Sequence, residues 1–189
     1  MLSANDLKNG VIFIIDDDPY VVLSASHQHI GRGGSSVTVK VKNLRTGQVF
    51  EKTFKPSDGF EEAEVERMKT RFLYQSRDVF WFDEVGNPKN RFSFVRNDLG
   101  DNADFLKNNL EISAIKFNEK IIGIELPIKV DYKVVETPPG VRGNTVSGGN
   151  KVAVIESGAK ISVPLFVEEG DIIRVNTQTE TYEKRVDKE

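Results

Sequence analysis

Two glycine-rich stretches each enclose an arginine: Gly31, Arg32, Gly33 and Gly34 in HIGRGGSS, and Gly140, Arg142, Gly143, Gly148 and Gly149 in PPGVRGNTVSGGNK. Seven of the 15 glycines lie in these two loops, and neither quoted stretch holds a carboxylate. Glycine lets a backbone approach a ligand closely and a guanidinium offers planar charged donors, so two such loops point to recognition of phosphate or RNA. The plainer reading of a single loop is a tight hairpin with a solvated arginine at its tip. The distribution of charge favours the first. From Leu23 to Ser57 the chain holds Arg32, Lys40, Lys42, Arg45, Lys52 and Lys55 against Glu51 alone, although the whole chain has 26 basic and 29 acidic residues and a net charge of −3. Lys40 and Lys42 alternate with Val39 and Val41, so on a strand both project from one face, where a polyanionic backbone would meet them. A merely solvated strand face carries the same pattern.

Other chemistries find little support. Cysteine is absent, which removes disulfides, thiolate nucleophiles and Cys-ligated metal sites together. His27 and His29, the two histidines, stand at strand-like i, i+2 spacing, and a metal site built on them would need carboxylates from elsewhere. No Walker loop, G-x-S-x-G, HExxH or dinucleotide fingerprint occurs, and no pair of carboxylates stands out for acid–base work. Asp16-Asp17-Asp18 ahead of Pro19 reads as a turn, because the alternating ligands of a cation loop are missing. An enzyme is therefore the weaker class, with no metal and no cofactor expected.

Such loops need a scaffold, and the sequence supplies strands. VIFIID, YVVLSAS, SVTVKVKNL, QVFEKTF and DVFWFDE are short β-branched or aromatic runs separated by turn residues such as Asp17-Asp18-Pro19, Thr46-Gly47 and Gly86-Asn87-Pro88. Val37, Val39 and Val41 read as the inward face of one strand. The best helical signal is Asn102 to Asn109, with Asn102 as candidate cap ahead of Phe105, Leu106 and Leu110. At 189 residues the chain suits two or three small units, and the strands group into 1–64, 65–127 and 128–189. Units of ~60 residues sit at the lower edge of independent folding, so extensive packing between at least two is expected. The longest apolar run, KIIGIELPIKV, is broken by Gly123, Glu125 and Pro127, so a soluble chain without a membrane span or targeting segment is expected.

The last third carries a recognisable pattern. KVAVIESGAKISVPLFVEEG, with Lys151-Val152-Ala153, Gly158, Ile161, Val163-Pro164, Val167 and Gly170, resembles the signature of bacterial translation elongation factor P, as do the preceding PPGVRGNTVSGGNK and the closing YEKRV. ANDLKNGVIF, KVKNLRTG, EKTFKPSD and GDNADFLKNN extend the resemblance over the whole chain. It implies three small β-barrels in an L-shaped, tRNA-like arrangement, an N-terminal SH3-like (KOW-type) domain followed by two OB-fold domains. The function implied is that of a monomeric cytoplasmic factor that binds both ribosomal subunits between the peptidyl-tRNA and exit sites. There it positions peptidyl-tRNA and relieves stalling at polyproline.

By the same resemblance Arg32, with Gly31, Gly33 and Gly34, occupies the functional hairpin tip, and the basic side chains of Lys40, Lys42 and Arg45 on the supporting hairpin are candidate contacts to the RNA backbone. Arg142, Gly143, Asn144, Thr145, Gly148 and Gly149 match the loop that faces the small subunit, with Tyr182 and Arg185 as further candidates. Many members carry Pro-Gly-Lys-Gly at the tip, so arginine here excludes a lysine-type modification. Others carry arginine and have it rhamnosylated, which makes Arg32 a candidate for a modifying enzyme, although its GRGGSS context differs. The family's elongation-factor-P-like paralogue shares the three-domain plan. A stand-alone OB-type RNA-binding module is the reading from another class, and it would need exposed aromatics. Phe80, Trp81 and Phe82 offer themselves, but neighbours on a strand face opposite sides, so part of this run must be core.

Overall fold

The alternation of β-branched and polar residues is realised as antiparallel strands throughout a computed structural model that describes residues 1–30, 34–139 and 149–186. The first group comprises β1 (Leu2–Ser3), β2 (Ile12–Ile15), β3 (Asp18–Ile30), β4 (Gly34–Asn43), β5 (Val49–Phe54) and β6 (Gly59–Phe60). β2 to β5 form a four-stranded meander and β1 pairs with β6. Asp16 and Asp17 take φ of 50° and 67°, so the acidic run is the tight turn between β2 and β3. Val37, Val39 and Val41 face inward onto Phe13 and Val22, as their alternation predicts, and Phe13, Phe54 and Phe60 pack edge to face beside them.

The central sheet is built from β7 (Glu66–Ser76), β8 (Val79–Glu84), β9 (Asn87–Val95), β10 (Glu111–Phe117) and β11 (Lys120–Glu125), in the order β11-β10-β7-β8-β9. Between β9 and β10 lies the helical turn α1 (Arg96–Leu99), continued as a 3-10 segment over Gly100–Phe105. It differs from the helix expected over Asn102–Asn109. The turn starts six residues earlier than expected, without a side-chain cap, and Asn102 sits inside the 3-10 segment. Burial of Leu99, Ala103 and Phe105 against the sheet, a tertiary effect, sets its position in place of local capping.

The third sheet takes β12 (Lys129–Glu136), β13 (Asn150–Ile155), β14 (Lys160–Pro164), β15 (Ile172–Asn176) and β16 (Thr181–Val186) in the order β14-β13-β12-β15-β16. β14 comes up against β16, so this sheet curls toward closure. The result is a mainly β molecule of several barrel-like sheets. The central and third sheets share one hydrophobic core, which runs from Phe72, Phe80 and Phe82 to Tyr132, Ile155 and Ile173. A smaller cluster of Leu44, Ala63, Ile115, Phe117 and Ile122 joins the first sheet to the central one. Among the described residues no helix is long and apolar enough to cross a membrane.

Candidate nucleic-acid interface

The long hairpin of β3 and β4 dominates the first sheet. Its strands stay in register from Tyr20↔Asn43 to Ile30↔Gly34, with one bulge between Val22 and Ser24. β2 leaves β3 at Val21, and β5 leaves β4 at Val37. The rungs Gln28↔Ser36, His29↔Ser35 and Ile30↔Gly34 therefore have no third strand beside them, and at ~3.4 Å per residue they extend the pair about 10 Å past the sheet. Gly31, Arg32 and Gly33 join the two strands and lie outside the described residues.

Lys40 and Lys42 lie further down β4, opposite Ser24 and Val21 on one side and Glu51 and Val49 on the other. Val39 and Val41 take the inner face, so both ammonium groups are turned out, Lys40 exposed and Lys42 half-buried. They line a cleft of about 900 Å³ that the first sheet forms with the other two. Its opposite wall carries Asp101, Glu125 and Glu180, and the apolar floor on the lysine side includes Phe50. The cleft is thus basic on one wall and acidic on the other.

Arg45 stands at the far end of the hairpin, since Asn43 already pairs with Tyr20 at its base. Its Nε donates to Asp18 Oδ1 at 2.7 Å, and the Asn43 side chain accepts from the Arg45 and Thr46 backbone N–H groups at 2.7 and 3.0 Å. Arg45 is therefore part of the turn's own bracing, and about nine residues of strand, some 30 Å, separate it from Gly34. The structure does not bring it together with the arm's end.

The second glycine loop connects β12 to β13. Arg142, Gly143, Asn144, Thr145 and Gly148 lie outside the described residues. Gly149 is described, half-buried, with Leu165 close to where a Cβ would stand. The loop's base is tied by Lys151, whose Nζ donates to the Pro138 carbonyl at 2.8 Å. Tyr182 is half-buried against the shared core, so its ring has a packing role. Arg185 is exposed, with its guanidinium 5.6 Å from the centroid of Phe166 and 3.6 Å from Asp171 Oδ2. Phe166 is 57% exposed, and sequence reasoning passed over it. Its signal was an aromatic two residues past the end of a strand, after Pro164, next to Val167, which takes the inward position. Phe50 was missed for the converse reason, since β5 alternates too weakly to reveal which residues face out. Among the described residues no group of three or more metal-binding side chains is assembled, and exposed His27 stands opposite Val37, on the last rung that β5 still flanks.

Comparison with known proteins covers the same segments. Residues 3–60 match the family described as "Elongation factor P (EF-P) KOW-like domain" and residues 130–185 the family described as "Elongation factor P, C-terminal". Elongation factor P of Moorella thermoacetica is 41% identical over 185 residues, which span 98% of this chain and all of that protein. Elongation factor P of Carboxydothermus hydrogenoformans is 38% identical over 186 residues, again 98% of this chain and all of the relative. Among solved structures, eukaryotic translation initiation factor 5A from Methanococcus jannaschii is 17% identical, covers 65% of this chain and 94% of that one, and superposes with a TM-score of 0.42. With relatives this similar over nearly its entire length, the chain belongs to the elongation factor P family of translation factors.

Proposed function

We propose that this protein, built as three units over 1–64, 65–127 and 128–189, binds the ribosome between the peptidyl-tRNA and exit sites and promotes peptide-bond formation where proline-rich sequences stall the nascent chain. The observation that carries this reading is the arm, a strand pair that leaves its sheet and joins through Gly31-Arg32-Gly33. An arm two strands wide enters a space too narrow for a barrel. Proline is conformationally locked, so a stalled proline is a problem of geometry, and holding two reactants in place removes an entropic barrier without an acid or a base. Arg32 makes charge-assisted contacts to RNA near the reacting ends, and Lys40 and Lys42 hold phosphates from the basic wall of the cleft. Arg45 contributes only through guanidinium nitrogens that Asp18 does not take. The loop from Arg142 to Gly149 meets the small subunit, and Arg185 on its Phe166 shelf is a further RNA contact.

The test is translation of a polyproline reporter with and without the protein. Arg32→Ala lowers the stimulation about tenfold or more, the loss of one charge-assisted hydrogen bond. Full rescue by that variant overturns the role of the tip. Intact mass of the protein from its native host shows whether Arg32 carries a sugar.

A further inference from the structure

The open face of the central sheet carries an aromatic pair that the translation reading leaves unused. β7 and β8 are joined by the two-residue turn Arg77-Asp78, and a bulge between Phe72 and Tyr74 brings Tyr74 opposite Trp81. The rings stack with centroids 6.4 Å apart and planes 27° apart. Phe80 and Phe82, on either side of Trp81, point the other way into the core, so the pair is backed by packed side chains. Tyr74 is 46% exposed. It lies beyond the end of β10, whose first residue, Glu111, stands opposite Arg71. On the other flank Trp81 faces only Ser93 of the edge strand β9. Tyr74 thus offers its outer face to solvent, with half-buried Trp81 stacked behind it.

The charges beside it divide by flank, with Glu111 and Asp83 both against Arg71 and uncompensated positive charge on the β9 side. Arg71 and Arg91 both stand opposite Asp83, on neighbouring strands and on the face that holds Trp81. Arg71 donates two hydrogen bonds to Asp83, at 3.2 and 2.7 Å, and the carboxylate is only 1% exposed, so its charge is spent. Arg91 makes no ion pair among the described residues, its Nε donating to the Pro88 carbonyl at 3.3 Å. β9 carries Lys89 as well and no carboxylate.

We propose that this face binds an unpaired RNA nucleotide, its base on the Tyr74–Trp81 pair and its phosphate toward Arg91. Aromatic faces hold bases without regard to sequence, and a guanidinium next to them fixes the backbone. The site lies on a different sheet from the arm and does not depend on it.

Trp81 is the single tryptophan of the chain, so its fluorescence reports the site directly. The full-length protein is titrated with short single-stranded oligouridylate and with duplex RNA of equal length. The expected result is saturable quenching by the single strand and little by the duplex. Tyr74→Ala, at an exposed position that does not endanger folding, weakens single-strand binding about fivefold or more, the cost of one lost base stack. Arg91→Glu weakens it too, and Lys8→Glu, at an exposed position of the first unit, leaves it unchanged. Absence of quenching by the single strand, equal quenching by duplex, or an unaltered titration in Tyr74→Ala overturns the proposal. A protein ligand captured on this face in place of RNA overturns it equally.

Discussion

Asp131 shows how a single charge is used in this molecule. Its carboxylate accepts hydrogen bonds from Arg174 Nε at 2.7 Å and Nη2 at 2.8 Å across the β12–β15 pair. The Arg174 hydrogen bond is the main cause that holds its pKa below the ordinary 3.8, with the positive charges of Lys107 and Lys184 adding to it. Because the folded pKa is the lower one, the stabilisation is fully present above about pH 4 and is lost as pH falls through the folded value. Asp131→Asn is therefore less stable than the wild type near neutrality, and the gap between them closes on acidification. Thermal unfolding followed from pH 7 down to pH 2 checks this, and a gap that widens toward acid contradicts it. The pair is partly exposed, so added salt shrinks the gap as well. Nothing local in KVDYKVV marks Asp131 for this role, since its partner stands 43 residues away.

At the scale of elements, the central and third sheets are locked by hydrogen bonds as well as by their shared core. Tyr132 on β12 is fully buried, and its hydroxyl donates at 2.6 Å to the carbonyl of Phe105, where the 3-10 segment ends. Lys107 follows with hydrogen bonds to the Asp131 carbonyl at 2.6 Å and to Glu156 Oε1 at 3.0 Å. Tyr132→Phe keeps the ring and leaves the Phe105 carbonyl buried without a donor, which costs about 1–2 kcal/mol. Chemical denaturation reads that loss as a lower midpoint with an unchanged slope. The strands around this lock were legible in the sequence because their period of two is local. The helical turn was not, because its place is set by what Leu99, Ala103 and Phe105 bury against.

For the whole molecule the decisive joint lies between the first and central sheets, because it aims the arm. Gly123 on β11 faces the turn after β4 so closely that a Cβ there would stand 2.6 Å from the Leu44 carbonyl oxygen and 3.1 Å from that of Arg45. Both are backbone atoms and cannot swing aside. Gly123→Ala forces the two sheets apart at a cost of about 1–3 kcal/mol. Unfolding of the central sheet, followed by Trp81 fluorescence, then separates from loss of the first sheet, followed by far-ultraviolet circular dichroism. Polyproline stimulation falls in the same variant although Arg32 is intact. Coincident transitions with full stimulation would show that the joint does not set the arm's direction.

The sequence by itself determined the strand-rich class, the inward set Val37, Val39 and Val41, the Asp16-Asp17 turn and, through the motif from Lys151 to Gly170, the family. All of these rest on period, turn chemistry or contiguous pattern, which survive without a partner from elsewhere in the chain. Only the tertiary structure decided that Lys40 and Lys42 face an acidic wall, that Arg45 is held by Asp18, that Tyr74 joins Trp81 across a bulge, and that Gly123 lies against the backbone of Leu44 and Arg45 with no room for a Cβ. Each of these depends on registers and contacts between segments distant along the chain, and a one-residue bulge or a joint between sheets leaves no periodic mark in the residues that form it.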